Sequence, residues 1–308
     1  MLKKELCSIC KFYAVSPIHA GSGASTSAVD LPIQRERHTN WPHIQATGVK
    51  GAFRAHFRDF VDKDKNKQLI NLVFGSDEQD GWDKKIDNLP GAMSVSDARL
   101  LAFPMRSNIA PFVWVTCPSV LKRLKTDLQY IRLGEKMTMD EQDIQGDNAV
   151  NIGHDNISGQ VILEDAVVNV SDKKQEDKFF KTTFPELKNL LLISDDMFDY
   201  AVSCCTEIQT NIKIDSKTGT AEDGALRYQE FLPADSVLYS IVHYSGRDLG
   251  EISNNDQHNP LADLVKDMNA EVIKKYVEDT VKDFIQIGGD ETLGKGICKL
   301  EWINGDAK

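Results

Sequence analysis

Hydrophobic residues along this chain fall into short alternating runs, typical of strands, and into longer stretches with a three- or four-residue repeat, typical of helices. The alternating runs predict strands at 6–15, 94–103, 161–168 and 236–244. The helical repeats predict helices at 49–63, 118–130, 185–202 and 260–284. Strands interspersed with helices in this way favour the α+β fold class, a compact domain built on a sheet.

The helix boundaries are predicted from capping residues and from apolar faces. Thr116 is the candidate cap of the helix at 118–130, and Pro118 lies near its first turn. The helix at 260–284 is predicted to begin at Asn259-Pro260. Its apolar face consists of Leu261, Leu264, Val265, Met268, Val272 and Tyr276. The apolar face of the helix at 49–63 consists of Phe53, Phe57, Phe60 and Val61.

Polar segments connect these elements. Residues 20–28 form a loop rich in glycine, serine and threonine, and 64–91 is a loop or a short helix. Residues 134–160 are acidic and poor in apolar side chains, which predicts a mobile insertion. Two extended runs around a polar tip predict a β-hairpin over EIQTNIKIDSKTGTAEDGALRYQEFL.

The charge of the chain is acidic overall but unevenly distributed. The formal net charge of −11 argues against a nucleic-acid-binding protein, which usually carries a basic surface. A basic stretch nevertheless lies between residues 34 and 59, and Lys50, Arg54 and Arg58 are spaced four apart on one helix face. These three cations are either a solvated helix edge or a row of phosphate contacts.

The cysteines and the apolar runs indicate a soluble cytoplasmic protein. Cys7 and Cys10 form a single C-x-x-C with no second pair at zinc spacing, so we expect all six cysteines to be reduced thiols. The first residues lack the apolar core of a signal peptide. Because no apolar run approaches membrane-spanning length, no membrane partner is expected.

The last part of the chain contains a glycine-rich connection between two apolar runs, FIQI and ICKLEWI. Its glycines flank a single lysine, which suggests amides and one cation that face an anion. The glycines are Gly288, Gly289, Gly294 and Gly296, and the lysine is Lys295. A nucleotide-binding P-loop is the alternative, but Gly296 replaces the Ser or Thr that should bind magnesium.

Motifs at both ends and in the middle of the chain resemble a known family. They are SPIHAGSG at 16–23, VDLPIQRERHT at 29–39, GVKGAFR at 48–54, IDSKTGTAE at 214–222, LRYQEFLP at 226–233 and the glycine-rich loop at 287–296. In this order they resemble the RAMP superfamily, and in particular the filament-forming subunits of type III-B (Cmr) CRISPR effector complexes.

This resemblance implies a fold and a set of partners. The fold would be a ferredoxin-like (RRM-like) palm in a single domain at 1–308, with an insertion at about 64–160 and a β-hairpin thumb at about 206–233. The partners would be CRISPR RNA, single-stranded target RNA, other Cmr subunits and copies of the same chain in a helical filament.

The resemblance also implies a catalytic role for Asp30 and His19. From the residues alone, an Asp in a turn and a surface His would be the simpler interpretation. In the family, the aspartate of the VDLPIQRERH motif is required for target cleavage, and the histidine of the preceding motif lies nearby. A carboxylate such as Asp30 is suited to a divalent cation, Mg²⁺ or Mn²⁺, and a His is suited to proton transfer.

Other residues receive binding or auxiliary roles. Tyr228 and Glu230 are auxiliary acid–base candidates, although Gln229 and Phe231 stand where the family often has an acid and a tyrosine. The resemblance and the local chemistry together predict RNA contacts at Arg35, Arg37, Lys50, Arg54, Gly288, Gly289, Gly294, Lys295 and Gly296.

The sequence therefore predicts a guide-RNA-binding subunit that cleaves complementary target RNA at regular intervals as a metal-dependent endoribonuclease in antiviral defence. Two alternatives remain open at this point. One is a purely structural RNA-binding subunit, and the other is a ribonuclease that processes the CRISPR transcript.

Overall fold

The structure of the chain is a computed structural model. It describes residues 6–60, 67–80, 90–133, 137–138, 143–172, 177–246 and 268–304. The statements below about the fold and its contacts refer to these ranges.

Fourteen strands and six α-helices are present in the described ranges. The strands are β1 (Leu6–Ala14), β2 (His43–Ile44), β3 (Met93–Val95), β4 (Ala98–Arg106), β5 (Phe112–Thr116), β6 (Asn148–Asn151), β7 (Gly159–Leu163), β8 (Ala166–Val170), β9 (Leu190–Ile193), β10 (Glu207–Asn211), β11 (Arg227–Phe231), β12 (Val237–Tyr244), β13 (Asp283–Gln286) and β14 (Ile297–Asn304). The helices are α1 (Ala46–Phe60), α2 (Lys67–Phe74), α3 (Pro118–Tyr130), α4 (Lys178–Thr183), α5 (Asp195–Cys204) and α6 (Ala270–Thr280).

One large sheet organises the chain, in the order β13-β14-β1-β12-β4-β5-β9-β6-β8-β7. Its part β14-β1-β12-β4 is antiparallel throughout. Helix α1 follows β1, and helix α6 follows β12, so this part has the connectivity of a ferredoxin-like unit. The expected α+β fold class and ferredoxin-like palm are therefore confirmed.

Helices α1 and α6 cover one face of the palm. Phe53 of α1 stacks on Phe12 of β1 at 6.1 Å between ring centroids, and it also contacts Trp302 of β14. Phe57, one turn further along α1, meets Tyr276 of α6 at 5.5 Å. The four-residue spacing predicted from the sequence thus places both phenylalanines on the buried side of α1.

A buried lysine lies on the opposite face of the palm. Lys11 of β1 is almost fully buried, and its ammonium forms ion pairs with Glu186 at 2.9 Å and with Glu301 at 2.7 Å. The same ammonium lies 5.5 Å from the centre of the Phe184 ring. Because a buried charge is costly without partners, these contacts attach the 183–187 segment to the sheet.

Strands β10 and β11 form a separate two-stranded sheet, with Thr210 opposite Tyr228. The predicted β-hairpin is therefore present. Its tip closes through a bridge between Ile214 and Ala221. The base of the hairpin leads directly into β12 of the palm, so the hairpin is attached to the centre of the large sheet.

The predicted helix at 185–202 is partly wrong. Residues 190–193 form strand β9, which runs parallel to β5, and the helix α5 begins only at Asp195. All four side chains of β9 are buried. A short, fully buried apolar run carries no periodicity that separates a strand from a helix, so pattern alone placed the boundary too early.

The predicted boundaries of other helices also need correction. The cap of α3 is Cys117, with no side-chain hydrogen bond, and Thr116 belongs to β5. Helix α6 is described from 270 to 280, with Asn269 as its cap, whereas 283–286 is a strand. The predicted start at Asn259-Pro260 lies outside the described residues. Val272, assigned to the apolar face, is exposed, while Ile273 and Val277 are buried.

The predicted insertion at about 64–160 is not a single excursion. Strand β4, within that range, pairs with β12 at the centre of the palm, and β5 continues the sheet from β4. Strand β6 pairs with β9 and β8, so residues 148–151 are part of the sheet rather than of a mobile segment. Within the described ranges no helix is long and apolar enough to cross a membrane.

The ion pair between Lys11 and Glu301 predicts a pH-dependent contribution to stability. Burial alone would raise the pKa of Glu301, but hydrogen bonds from Lys11 and Lys299 lower this pKa below 4.5. A lowered folded-state pKa stabilises the fold above the unfolded value, and this contribution is lost as the pH falls through the folded value. Glu301→Gln should therefore destabilise the protein at neutral pH, and the difference from wild type should shrink below about pH 4.5.

Urea unfolding of both proteins across this pH range measures the difference. Glu291→Gln is the matched control, because Glu291 is exposed and has no described partner. A difference between wild type and Glu301→Gln that does not vary with pH would contradict the prediction.

Candidate nucleic-acid interface

The segments that the sequence singled out meet at the base of the β10–β11 hairpin. Ile18 pairs with Leu232 through two backbone hydrogen bonds of 2.9 Å. Leu31 forms a parallel bridge with Gln229, and Gly21 forms an antiparallel bridge with Ile33. Two motifs from the N-terminal part of the chain are thus attached to the end of strand β11.

His19 is held in one orientation at this junction. Its ring nitrogen Nδ1 donates a hydrogen bond to the Glu230 carbonyl oxygen at 2.8 Å. Its ring also packs at a tilt on Phe231, with centroids 5.5 Å apart. Since Nδ1 carries the proton, Nε2 of the neutral ring is an acceptor, and no described residue binds Nε2.

The glycine-rich loop lies against the backbone of His19. The Gly289 amide donates to the His19 carbonyl at 2.8 Å, and the Gly296 amide donates to the Pro17 carbonyl at 2.8 Å. Gly288 has φ +90°, and a Cβ there would lie 2.5 Å from the His19 carbonyl oxygen. A Cβ at Gly21 would lie 2.8 Å from Nε2 of His19. Glycine is therefore required where the loop and the His19 ring come close.

Asp30 is attached to the same hairpin. Its carboxylate oxygen Oδ2 accepts a hydrogen bond of 2.8 Å from the Tyr228 amide, and its own amide donates to the Tyr228 carbonyl at 3.1 Å. The other carboxylate oxygen has no partner in the described residues. Asp30 is partly exposed, and the hairpin fixes one of its two carboxylate oxygens.

Asp30 and His19 lie on one edge of β11. Asp30 binds the peptide groups of Tyr228, and His19 binds the carbonyl of Glu230. Backbone groups two residues apart in a strand point to the same side and are separated by about 7 Å along the strand. The structure therefore brings the two predicted catalytic residues to one edge, with the glycine-rich loop beside His19.

Glu230 connects several segments through its carboxylate. Its oxygens accept hydrogen bonds from the Ile33 amide at 3.0 Å, the Arg35 guanidinium at 2.5 Å and the Thr206 hydroxyl at 2.8 Å. The side chain is buried. These contacts give Glu230 a structural role that does not need acid–base chemistry, whereas the Tyr228 side chain is exposed and has no described side-chain partner.

Three residues at this junction have connecting roles that the sequence did not reveal. Gln229 donates a hydrogen bond of 2.5 Å to the Asp290 carboxylate, which links the hairpin to the glycine-rich loop. The ammonium of Lys295 lies 4.8 Å from the centre of the Phe231 ring. The sequence marked Gln229 and Phe231 only as departures from the family pattern, because their partners are more than sixty residues away.

The arginines of the VDLPIQRERHT motif differ in their environment. Arg35 binds Glu230 and the Asn40 carbonyl and is mostly buried. Arg37 is exposed, and no described residue pairs with its guanidinium. Arg37 is thus available for an anionic partner, while Arg35 already holds the base of the hairpin.

Arg54 and Arg58 of α1 form an ion-pair cluster with Asp80. Arg54 approaches the Asp80 carboxylate at 2.5 Å and Arg58 approaches it at 2.7 Å. Burial alone would raise the pKa of Asp80, but the two guanidiniums lower this pKa below its usual value. The row of cations predicted on α1 is therefore largely an intramolecular cluster. Arg54 in particular does not have the free guanidinium that a phosphate contact would use.

The protein side chains fit a divalent cation only in part. Among the described residues, no three His, Cys, Asp or Glu side chains converge as metal ligands. Asp30 offers one carboxylate oxygen that no described residue binds. This donor set fits a hard cation of the Mg²⁺ or Mn²⁺ type held mainly by RNA phosphates and water, with Asp30 as a single protein ligand.

Comparison with known proteins gives a consistent result. The RAMP superfamily matches residues 11–299 of the chain. A Pyrococcus furiosus protein named "CRISPR system Cmr endoribonuclease Cmr4" is 32% identical over 299 residues, which is 94% of this chain and 92% of that protein. The crystal structure of oligomeric Cmr4 from Pyrococcus furiosus has a TM-score of 0.68 at 25% identity and covers 98% of this chain and 99% of that chain.

A type III-B Cmr-beta complex in its apo state, determined by cryo-electron microscopy, contains a chain of the same fold. Its TM-score is 0.71 at 22% identity, and the match covers 96% of this chain and 97% of that one. This chain belongs to the RAMP superfamily and, within it, to the Cmr4 family of type III-B CRISPR subunits. The family expected from the sequence motifs is thereby confirmed.

The close approach of Gly288 to His19 leads to a testable prediction. Gly288→Ala would place a methyl group on the His19 carbonyl, whereas a Cβ at Gly294, which also has positive φ, would meet open space. Both variants have a strained backbone, but only the first displaces the loop. Gly288→Ala should lower the free energy of unfolding by at least about 1 kcal/mol more than Gly294→Ala.

Chemical unfolding of the two variants measures this difference directly. Equal losses would show that the glycine-rich loop does not lie against the His19 segment in solution.

Proposed function

We propose that this protein is the CRISPR RNA-binding, filament-forming subunit of a type III-B effector complex. Copies of the chain line up along the guide RNA in the cytoplasm, together with other Cmr subunits. Each copy cleaves the complementary target RNA once, so the cuts are regularly spaced. RNA sequence is recognised by base pairing with the guide, while the protein contacts the phosphate backbone.

The observation that carries this proposal is the convergence of His19, Asp30 and the glycine-rich loop on one edge of β11. An acceptor nitrogen, a carboxylate oxygen without a described partner and exposed loop backbone lie together at the base of the hairpin. The name of the Pyrococcus furiosus relative, an endoribonuclease, supports the same activity.

RNA carries its own nucleophile, so the protein needs only a few groups. The 2′-oxygen attacks the adjacent phosphorus, and the bond from phosphorus to the 5′-oxygen of the next nucleotide breaks. In this proposal Nε2 of His19 accepts the proton of the 2′-hydroxyl, and solvent returns a proton to the departing 5′-oxygen. The products are a 2′,3′-cyclic phosphate and a 5′-hydroxyl, and geometry supplies much of the rate.

The hairpin is suited to separate bases in a guide–target duplex. Ile208 and Tyr228 lie on one face of the two strands and are exposed. Further exposed apolar side chains along the hairpin are Ile212, Ile214 and Leu226. Apolar side chains of this kind unstack nucleic-acid bases, and an unstacked nucleotide has the backbone freedom that in-line attack requires.

A divalent cation completes the proposed site. It would neutralise phosphate charge next to the carboxylate of Asp30, with the remaining ligands supplied by RNA and water. Phosphate contacts are proposed for the exposed Arg37, for Lys50, for Lys295 and for the glycine-rich loop. Arg35 and Arg54 act instead through their carboxylate partners.

Asp30→Asn is the direct test of the catalytic assignment. The asparagine oxygen can still accept the Tyr228 amide hydrogen bond, so the local structure should persist. Without the second carboxylate oxygen, single-turnover target cleavage should fall by at least about 10²-fold. Affinity for guide RNA and assembly of the complex should remain unchanged. Gel analysis of labelled target RNA in the reconstituted complex measures the rate.

The matched control is Asp223→Asn, which alters an exposed carboxylate on the same hairpin. It should cleave at the wild-type rate. An Asp30→Asn complex that cuts at the same positions and rate would refute the assignment. A wild-type complex that binds guide and target without cutting would favour the purely structural alternative.

Shortening the hairpin tip at 216–224 tests the wedge. The tip is mostly exposed, so the fold should remain stable. Cleavage should be lost, because the shortened hairpin keeps its exposed apolar side chains but no longer extends far enough to separate the bases at the scissile position. Chemical probing of the bound target should show regularly spaced reactive nucleotides with the intact hairpin and none with the short one. Thr218→Ala, a single change in the same turn, should leave both readouts unchanged.

Periodic reactivity that persists in the shortened protein would show that another part of the chain unstacks the RNA.

A further inference from the structure

Lys295 is held in an unusual way for a lysine in a loop. Its ammonium lies 4.8 Å from the centre of the Phe231 ring, and no described residue pairs with it through an ion pair or a hydrogen bond. The attraction to an aromatic ring orients a cation but leaves its charge intact, because the ring carries no net charge. The loop therefore presents a positioned and unneutralised positive charge.

The backbone on both sides of Lys295 fixes this position. Gly294 and Gly296 have φ of +70° and +73°, and a Cβ at Gly296 would lie 2.0 Å from the Ile287 carbonyl oxygen. The Lys295 amide donates to the Asp290 carbonyl at 3.2 Å. The Asp290 carboxylate, which could neutralise a nearby cation, is bound by Gln229 on the hairpin.

The ring that orients Lys295 also orients His19. Phe231 is fully buried, and the His19 ring packs on it at 5.5 Å. His19 and Lys295 come from opposite ends of the chain and are therefore aligned on one aromatic side chain. Phe231 lacks the hydroxyl that the family often has at this position, so this side chain contributes no polar group of its own and acts through the two residues that it orients.

We infer that Lys295 is a catalytic residue that stabilises the negative charge on the scissile phosphate, and that Phe231 is the positioning residue that directs its ammonium. This inference rests on the proposed function. In the cleavage step, the bond from the 2′-oxygen to phosphorus forms while the bond to the 5′-oxygen breaks. The phosphoryl oxygens gain negative charge at that point, and the ammonium, which contacts the same Phe231 ring as His19, stabilises this charge.

This role differs from ordinary phosphate binding by a lysine. A contact that is equally strong before and during the reaction changes RNA affinity but not the rate of the bound complex. A contact that strengthens in the transition state changes the rate of the bound complex. Affinity and single-turnover rate must therefore be measured separately on the same variants.

The experiment uses the assembled complex with guide RNA and end-labelled complementary target. The variants are Lys295→Met, Lys295→Arg, Phe231→Leu, the double variant Lys295→Met/Phe231→Leu, Asp30→Asn and Lys299→Met. Met keeps the length and apolar character of the lysine stem, and Arg keeps the charge. Lys299→Met is the matched control, because Lys299 follows the same loop but pairs with Glu301 at 3.1 Å.

The expected result is a loss that falls mainly on the rate. Lys295→Met should cleave bound target about 10²- to 10³-fold more slowly, while its target affinity falls by no more than the loss of one phosphate contact explains. Lys295→Arg should retain most of the rate, and Lys299→Met all of it. Phe231→Leu should slow cleavage in the wild-type background and slow it less in the Lys295→Met background, where the ring has only its contact with His19 left to lose.

Other results would overturn the inference. If Lys295→Met cleaves bound target at the wild-type rate but binds RNA more weakly, Lys295 is a phosphate-binding residue only. The log–log slope of RNA affinity against salt would then fall by about one unit. A loss from Phe231→Leu that is equally large in both backgrounds would show that Phe231 does not act through Lys295, and if this variant fails to fold, the Met and Arg variants still decide the role of Lys295. If the wild-type complex does not cut, or Asp30→Asn cuts normally, the proposed function fails and this inference with it.

Discussion

The interface depends on how the short segment 17–21 is held between the hairpin and the glycine-rich loop. Backbone hydrogen bonds attach Ile18 to Leu232 on one side and the carbonyls of Pro17 and His19 to Gly296 and Gly289 on the other. Peptide groups are directional donors and acceptors, so three parts of the chain are fixed relative to each other without large side chains. The His19 ring then has one orientation, which the Glu230 carbonyl and the Phe231 ring set.

An acidic protein can bind RNA if its cations are placed selectively. Much of the positive charge predicted to face RNA is already paired, as Arg54 and Arg58 are with Asp80 and Arg35 is with Glu230. These pairs stabilise the surroundings of the interface rather than the RNA. Arg37 and Lys295 have no described carboxylate partner. Net charge therefore says little about such a site, because a few unpaired cations beside glycine amides matter more than the total.

Sequence motifs predicted the members of the site but not its connections. Short motifs contain Asp30, His19 and the glycine-rich loop, so the sequence identified them as candidates. The strands β1 and β12 could be predicted because their apolar residues alternate or form buried runs. The sequence could not predict the burial of Glu230, the Gln229–Asp290 hydrogen bond or the Lys295–Phe231 contact. Each depends on residues that are far apart in sequence. The same limit applies to Arg54, whose partner Asp80 lies in a segment without any periodic pattern. Spacing along one helix shows which cations share a face, but not which carboxylate neutralises them.

The distances along the chain also constrain when the site can form. His19 follows β1, the hairpin leads into β12, and the glycine-rich loop precedes β14, so each part of the site adjoins a strand of the palm. Strand β1 pairs with both β12 and β14, which join residues more than two hundred positions apart. Such long-range pairing forms late, because the entropy of a large loop must be overcome first. Lys295 and His19 can therefore share the Phe231 ring only after the C-terminal strand has joined the sheet. The interface is in this sense a property of the completed palm rather than of any one motif.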